Sequence, residues 1–221
     1  MAKVMGLIPE EHKQHIKEEL IQKLTNKVKV IMFTQEIECP FCKETRELVG
    51  EIGSLSDKIE VAVYDFVKDK EQVALYNVDK VPAIVVLGEK DYRIRYYGLP
   101  FGYEFQTLLE DLMIVSNRNS GLSEETKTKI KAVDKPVHIQ VFVTLTCPYC
   151  PITATLAHKF AMESELINAD VIDVNEFPQI GIKYNVFGVP KTVINEKVEF
   201  VSVVQENVFL EHILEALKTT P

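Results

Sequence analysis

No cysteine of this 221-residue chain lies outside two tetrapeptides, Cys39-Pro40-Phe41-Cys42 and Cys147-Pro148-Tyr149-Cys150. No apolar run approaches the length that spans a bilayer, so no membrane partner is expected. No basic run interrupts the net charge of −8, which argues against nucleic acid and anionic membrane surfaces as partners. Met1 to Gln14 has no apolar h-region and no cleavage signature, so no secretory signal is expected and a cytoplasmic location is. In such a compartment disulfide chemistry is usually transient and catalytic, with the intracellular proteins of hyperthermophiles as the exception. Polar linkers are scarce too: Ser116-Asn117-Arg118-Asn119-Ser120-Gly121 is the only notable one. What remains, 46% apolar and 26% charged residues, is the composition of a soluble globular protein.

The two tetrapeptides belong to a longer repeat. Cys39 and Cys147 are offset by 108 residues, and the same offset carries Asp65 onto Asp173. It also carries Tyr76-Asn77-Val78 onto Tyr184-Asn185-Val186, and Val81-Pro82 onto Val189-Pro190. Matches in one register point to a tandem duplication, and the scarce linker places the boundary between a unit over 1–118 and a unit over 119–221. Phe33 lies six residues before its cysteine and Phe142 five, so the first copy has one extra residue in the loop before its cysteine.

Each copy reads α-β-α-β-α-β-β-α. In the first, Pro9 to Leu24 shows Ile16, Leu20, Ile21 and Leu24 at helical spacing. Val28 to Thr34 is a β-branched strand, a helix begins near Pro40, and Ile59 to Phe66 is a second strand. A short helix ends at Asn77, Ala83 to Leu87 and Tyr92 to Tyr97 form a hairpin, and Phe105 to Val115 is a closing helix. Ser123 caps the helix that opens the second copy, with Thr126 at the reciprocal position. Strands over Val137 to Thr144 and Ala169 to Val174, a helix from Pro148, a hairpin from Lys191 and a last helix from Val208 repeat the pattern. The fold class is therefore α/β: two tandem units, each a mixed four-stranded sheet flanked by helices.

In both copies an apolar strand feeds a helix, and two thiols stand at the junction. Cysteines at i and i+3 can close a small disulfide ring, and the helix N-terminus favours a thiolate. Two Cys-x-x-Cys pairs could instead hold zinc through four thiolates. Their placement one per repeat, each with Pro inside and Val-Pro at a fixed distance beyond, favours dithiol chemistry. His12 and His15 read as a solvated helix face, and no metal site is expected. Asp65 and Asp173 read equally as solvated strand ends or as catalytic groups.

Cys-Pro-aromatic-Cys after a strand, with Val-Pro 40 residues past the second cysteine, resembles the thioredoxin/glutaredoxin superfamily. Two such units in one chain resemble the glutaredoxin-like protein disulfide oxidoreductases of hyperthermophiles, and Cys147 to Pro151 is especially similar. The resemblance implies an enzyme that reduces, forms or isomerises protein disulfides without a bound cofactor. It implies that Cys39 and Cys147 are exposed nucleophiles, and that Cys42 and Cys150 resolve the mixed disulfide. It implies cis bonds at Pro82 and Pro190, with the backbone of Val81 and Val189 pairing with an extended substrate. Its partners would be proteins with disulfides or thiols and a thioredoxin-reductase-like flavoprotein. A second reading is an electron-transfer module between a flavoprotein reductase and a peroxidase, similar to the tandem portion of alkyl hydroperoxide reductase flavoproteins.

The chain departs from the resemblance in three places. Ala83-Ile84 and Lys191-Thr192 stand where a glutathione site carries acids, neither central strand holds a buried acid, and Gly98 has no equivalent near Val203. Proton transfer to the resolving thiol is therefore left unassigned. Glu36 and Glu38 near Cys39, against Thr144, Thr146 and Lys191 near Cys147, predict that Cys147 is the more acidic nucleophile, by about one unit or less.

Overall fold

A computed structural model describes residues 6–19 and 21–218, with Glu19 described by its backbone alone. Of the sequence readings, Leu20 of the first apolar stripe and Met1 to Met5 of the N-terminal stretch lie outside the described residues. The opening helix α1 is Glu10–Glu19, and Ile21–Lys23 follows as a single tighter turn, so the long helix read to Leu24 is shorter. Among the described residues no helix is long and apolar enough to cross a membrane.

The strands fall where β-branched alternation places them. They are β1 Val28–Thr34, β2 Ile59–Asp65, β3 Ala83–Leu87 and β4 Asp91–Tyr97, then β5 Val137–Val143, β6 Ile167–Asp173, β7 Lys191–Ile194 and β8 Val198–Val201. Between them run α2 Cys42–Gly53, α3 Lys70–Leu75, α4 Phe105–Asn117, α5 Glu124–Lys131, α6 Cys150–Glu163, α7 Pro178–Lys183 and α8 Glu206–Lys218. The read linker starts inside this scheme, because Ser116 and Asn117 belong to α4, which ends on Arg118 in the left-handed conformation. Ser123 caps α5 as expected, its hydroxyl accepting from the Thr126 N–H. Asn77 and Asn185, with φ of 51° and 50°, turn the chain just after α3 and α7, a conformation asparagine tolerates better than most residues.

The two four-stranded sheets are not separate. Strands run in the order β2-β1-β3-β4-β6-β5-β7-β8, one eight-stranded sheet. Its seam is a parallel pairing of β4 with β6, from Ile94 opposite Ala169 to Tyr97 opposite Ile172. Ile94, Tyr96, Ala169 and Val171 are buried there. Fusion hides two strand edges that separate sheets would expose. It also makes the repeat translational, so each unit meets its neighbour through a different edge.

Helices cover both faces. One core joins β-strand residues such as Val30, Met32 and Val141 to Leu48 of α2, Leu112 of α4, Ala157 of α6 and Phe209 of α8. The other holds Phe33, Tyr97 and Phe142, with Val73 of α3 and Ile180 of α7 packed against it. β1 and β5 run in the same direction, because β1 is antiparallel to β3, β3 to β4, and the β4-β6 and β6-β5 pairs are parallel. Both dithiols therefore leave the same end of the sheet on the same face. Four strand-to-strand steps separate them, roughly 19 Å at ~4.8 Å per step.

Candidate active site

Each dithiol is set by the same local geometry. β1 ends at Thr34 and β5 at Val143, and a short loop carries the chain to the cysteines. The extra loop residue of the first copy is accommodated with Glu38 at φ 59°. Both helices start at the second cysteine, Cys42 and Cys150, rather than at Pro40 and Pro148. The residue before each, Phe41 or Tyr149, is the cap, and Pro151 occupies the first turn of α6, where a missing N–H costs nothing. Opposite the cysteines, the Val81–Pro82 and Val189–Pro190 bonds are both cis. The hairpins behind them repeat too: Gly98 N–H donates to the Pro82 carbonyl at 3.0 Å and Ser202 N–H to the Pro190 carbonyl at 2.9 Å.

At the second site the cysteines are free thiols. The Cys147 thiol points at the Val189 carbonyl, 3.7 Å away. Cys147 is 8% exposed and Cys150 0%, so the expected exposed nucleophile sits instead in a recess beside Val189. Burial and the hydrogen bond with Cys147 push the Cys150 thiol well above the ordinary range. At the first site Cys39 and Cys42 are joined by a disulfide. Cys42 is buried, its Sγ accepts the Gln35 N–H at 3.4 Å, and Cys39 is half-buried. The surroundings of the two sites differ at their rims. Phe187, just before Gly188-Val189, is 95% exposed and Tyr149 63%, whereas Asp79 and Lys80 hold the positions of Phe187 and Gly188 in the first copy.

Two charge readings are corrected. Lys191 does not reach toward Cys147. Strand alternation sends it to the sheet face that carries Phe142 and α7, opposite α6, where its ammonium donates to the Tyr184 carbonyl at 2.7 Å and pairs with Glu199 at 2.9 Å. Glu36 is not a bare charge, because the Arg46 guanidinium bonds it at 3.1 Å while also holding Thr34 Oγ1 at 3.0 Å. Lys43, next to Cys42, faces Glu47 at 4.0 Å on the surface.

The aspartates of the repeat also part company. Asp65 is a partly exposed strand end that accepts from the Val67 and Lys68 N–H groups and pairs with Lys68, so its carboxyl is held below the ordinary range. Asp173 is fully buried; its Oδ1 accepts from the Asn175 N–H, its Oδ2 has no partner, and burial raises its pKa.

Sequence reasoning missed the acid beside the second dithiol because it comes from the first half. Glu104 is fully buried at the start of α4, its Oε2 accepting from Thr107 Oγ1 at 3.0 Å and its Oε1 without a partner. Burial raises it to about 8, the Asp111 and Asp173 charges add to this, and its own charge acts on Cys150. The loop that carries it docks on the loop before Cys147, with Tyr103 N–H donating to the Leu145 carbonyl at 3.1 Å. Gly102 makes that approach possible: its φ is 57°, and a Cβ there would sit 2.5 Å from the Leu145 oxygen. The available signal was a lone acid inside the aromatic run Phe101-Gly102-Tyr103-Glu104-Phe105.

Residues 137–215 match the family model described as a thioredoxin domain. Over nearly its whole length the chain is similar to the solved structure of a protein disulfide oxidoreductase from Aeropyrum pernix, at 30% identity and a TM-score of 0.90, covering 98% of this chain and 97% of that one. The solved N-terminal domain of the alkyl hydroperoxide reductase AhpF from Enterococcus faecalis shares the fold, with a TM-score of 0.85 at 24% identity, covering 93% of this chain and 99% of that one. Among curated proteins, the F component of the Escherichia coli K12 alkyl hydroperoxide reductase is 25% identical over 177 residues, 80% of this chain and 32% of that protein. The chain spans under a third of the length of the first curated relatives it matches.

Proposed function

Because the chain belongs to the glutaredoxin-like protein disulfide oxidoreductases, thiol–disulfide oxidoreductases built from two thioredoxin-like units, we propose that both of its dithiols exchange with protein disulfides. The reading gives each of the units, 1–118 and 119–221, one dithiol. Cys39 and Cys147 are the attacking thiols, Cys42 and Cys150 the resolving ones. The observation that carries it is the Cys147 thiol 3.7 Å from the Val189 carbonyl just before α6, beside a cis-proline bond that the first half repeats. Val81-Pro82 and Val189-Pro190 supply the backbone against which an extended substrate lies as an added strand. An open cleft of about 360 Å³ runs along α6 from Pro151, lined by Gln106, Ile152, Thr155 and Val204 among others.

In the reducing direction the Cys147 thiolate attacks a substrate disulfide, whose S–S bond breaks as the Cys147–substrate bond forms. The released substrate thiolate takes a proton. Cys150 then attacks Cys147 Sγ, the mixed disulfide breaks, and the second substrate thiol leaves, so two electrons have passed to the substrate. Cys150 must lose a proton that its burial holds tightly, and ionised Glu104 is proposed as the acceptor, because it is buried, its Oε1 has no partner and its charge acts on Cys150. The oxidising direction runs the same steps backwards.

The test is an insulin-reduction and scrambled-ribonuclease assay on the variants Cys39→Ser/Cys42→Ser and Cys147→Ser/Cys150→Ser. Each should keep part of the activity, and the quadruple variant none. Complete loss from either double variant would mean one composite site. The similarity to the alkyl hydroperoxide reductase AhpF favours a second reading, in which the dithiols relay electrons from a thioredoxin-reductase-like flavoprotein to a peroxidase; a peroxidase-coupled assay tests it. A four-thiolate zinc site does not fit the geometry, because pairs roughly 19 Å apart cannot share one ion with bonds of ~2.3 Å. A cytoplasmic location completes the proposal, and cell fractionation tests it.

A further inference from the structure

Carboxyls with oxygens sealed from solvent line the end of the sheet between the two dithiols: Glu104 and Asp173 are buried, Glu176 and Glu44 half-buried. Glu104 lies by Cys150, Asp173 ends β6, and Glu176 follows in the loop after it. The row continues across the seam. Glu176 Oε1 accepts the Leu99 N–H of the first half at 2.7 Å, and its Oε2 is sealed from solvent with no partner. Gly98, the neighbour of Leu99, has φ 117°, and a Cβ there would meet Asp173 Cβ at 3.0 Å and Glu176 Oε1 at 3.2 Å. The same Gly98 bonds the Pro82 carbonyl, so Glu176 is held against the cis-proline loop of the first site. From α2, Glu44 stands two residues past Cys42, also with a sealed and partnerless Oε2, and its charge acts on Glu176. Asp173 Oδ2 and the hydroxyl of Tyr96 are partnerless and buried in the same place.

Carboxyl oxygens sealed together without donors hold protons, because two like charges in a desolvated site oppose each other. We infer that Glu176 is a proton-holding group that the second half supplies to the first dithiol, where it sets how much of Cys39 is thiolate near neutral pH. The groups facing it are Glu44 of α2, Asp173 of β6 and Tyr96 of β4. Burial is the main reason Glu176 rises to about 7, with Asp173 and Glu44 adding to it. When the group ionises, its charge opposes the Cys39 thiolate; when Cys39 ionises, the group keeps its proton. The arrangement crosses that of the second site, where the first half supplies Glu104 to Cys150. The inference rests on the dithiol reading above.

The test uses the full chain with Cys147→Ser/Cys150→Ser, reduced, and follows the rate of Cys39 alkylation by iodoacetamide against pH. Glu176→Gln keeps an acceptor for the Leu99 N–H and removes the titration. The expected result is a profile displaced to lower pH, with about threefold more thiolate at pH 7. Glu104→Gln, which faces the other site, should not displace it. An unmoved profile in Glu176→Gln overturns the inference; should that variant not fold, an unmoved profile in Glu176→Met does so. Insulin reduction by the same parent variant separates the two readings. Activity with an unmoved profile sinks the inference alone, whereas a moved profile without activity supports the charge coupling and removes the catalytic role of the first dithiol.

Discussion

Around the first dithiol the loop acids lie at the surface, with Glu36 paired to Arg46 of α2; the loop before the second dithiol carries no charge, and a fully buried acid of the neighbouring half stands behind it. Arg46 and Glu36 share a solvent-facing bond beside Cys39, while Glu104 sits fully buried within electrostatic reach of Cys150. The rims differ in the same sense, with Asp79 and Lys80 against Phe187 and Gly188. Duplication preserved the strand, the helix start and the cis-proline in both copies. Translation of one unit along the sheet then gave them unequal neighbours. The second unit is buttressed through β6 and has β8 at its outer edge, whereas the first is buttressed through β4 and has β2 outermost. Two Cys-Pro-aromatic-Cys motifs thus occupy sites with different buried neighbours.

The harshest way to break the comparison is to separate the units. A fragment over 1–118 exposes the β4 edge and strips cover from Tyr96; a fragment over 119–221 exposes β6 and loses Glu104. Each large apolar side chain returned to water costs about 1.5–3 kcal/mol, against a total stability of about 5–15 kcal/mol. Loss of cooperative thermal unfolding by circular dichroism is expected for both fragments. Two fragments that melt cooperatively and retain full dithiol activity would show that the seam is incidental.

Removing Glu104 sharpens the comparison with a smaller effect. Its carboxyl titrates near 8 in the folded chain and near 4.5 when unfolded, so between those values the folded state binds the extra proton. Stability therefore falls as pH rises through that window and levels off above it. Glu104→Gln should flatten this slope and gain stability over the parent chain between pH 5 and pH 8, by an amount on the order of a few kcal/mol. The same change should slow turnover at the second dithiol about a hundredfold, the usual contribution of a positioned acid or base, and leave the first dithiol unaffected. Denaturant titrations at pH 5 and pH 8, beside assays of the single-site variants, check both halves of the expectation. An unchanged slope would show that Glu104 does not titrate there.

What the sequence made legible follows the range of each signal. Strand alternation and the register of the duplication are local, and they located the strands, the cysteines and both prolines to within a few residues. Asn77 was visible as a helix break because its role is local too, and the repeat carries it onto Asn185. Long-range facts were not. No residue pattern within Asp91–Tyr97 or Ile167–Asp173 says that one strand pairs with the other, since both read as half-buried strands complete in themselves. Glu104 was hidden for the same reason: its partner lies across the seam. Lys191 was misjudged by proximity in sequence, because a residue adjacent to the cis-proline can face either side of the sheet. Asp173 was misjudged because its equivalent, Asp65, lacks the loop that covers it.

The smallest expected effect concerns the loop charges, where sequence reasoning ordered Cys147 as the more acidic nucleophile. One support for that order is gone: Lys191 is held by Tyr184 and Glu199 on the opposite face. The other is weakened, since Arg46 compensates Glu36. Single-cysteine variants retaining Cys39 or Cys147, followed by thiolate absorbance against pH, measure what is left of it. Arg46→Ala should free the Glu36 charge and lower the Cys39 thiolate fraction at pH 7 by roughly twofold, a modest change because the pair is exposed and screened. Lys191→Met should leave the Cys147 titration in place, since its ammonium is engaged on the α7 side of the sheet. A shift of Cys147 in Lys191→Met equal to that of Cys39 in Arg46→Ala would mean that charge acts through the sheet as readily as along the loop, and the contrast between the loops before the two dithiols would fail.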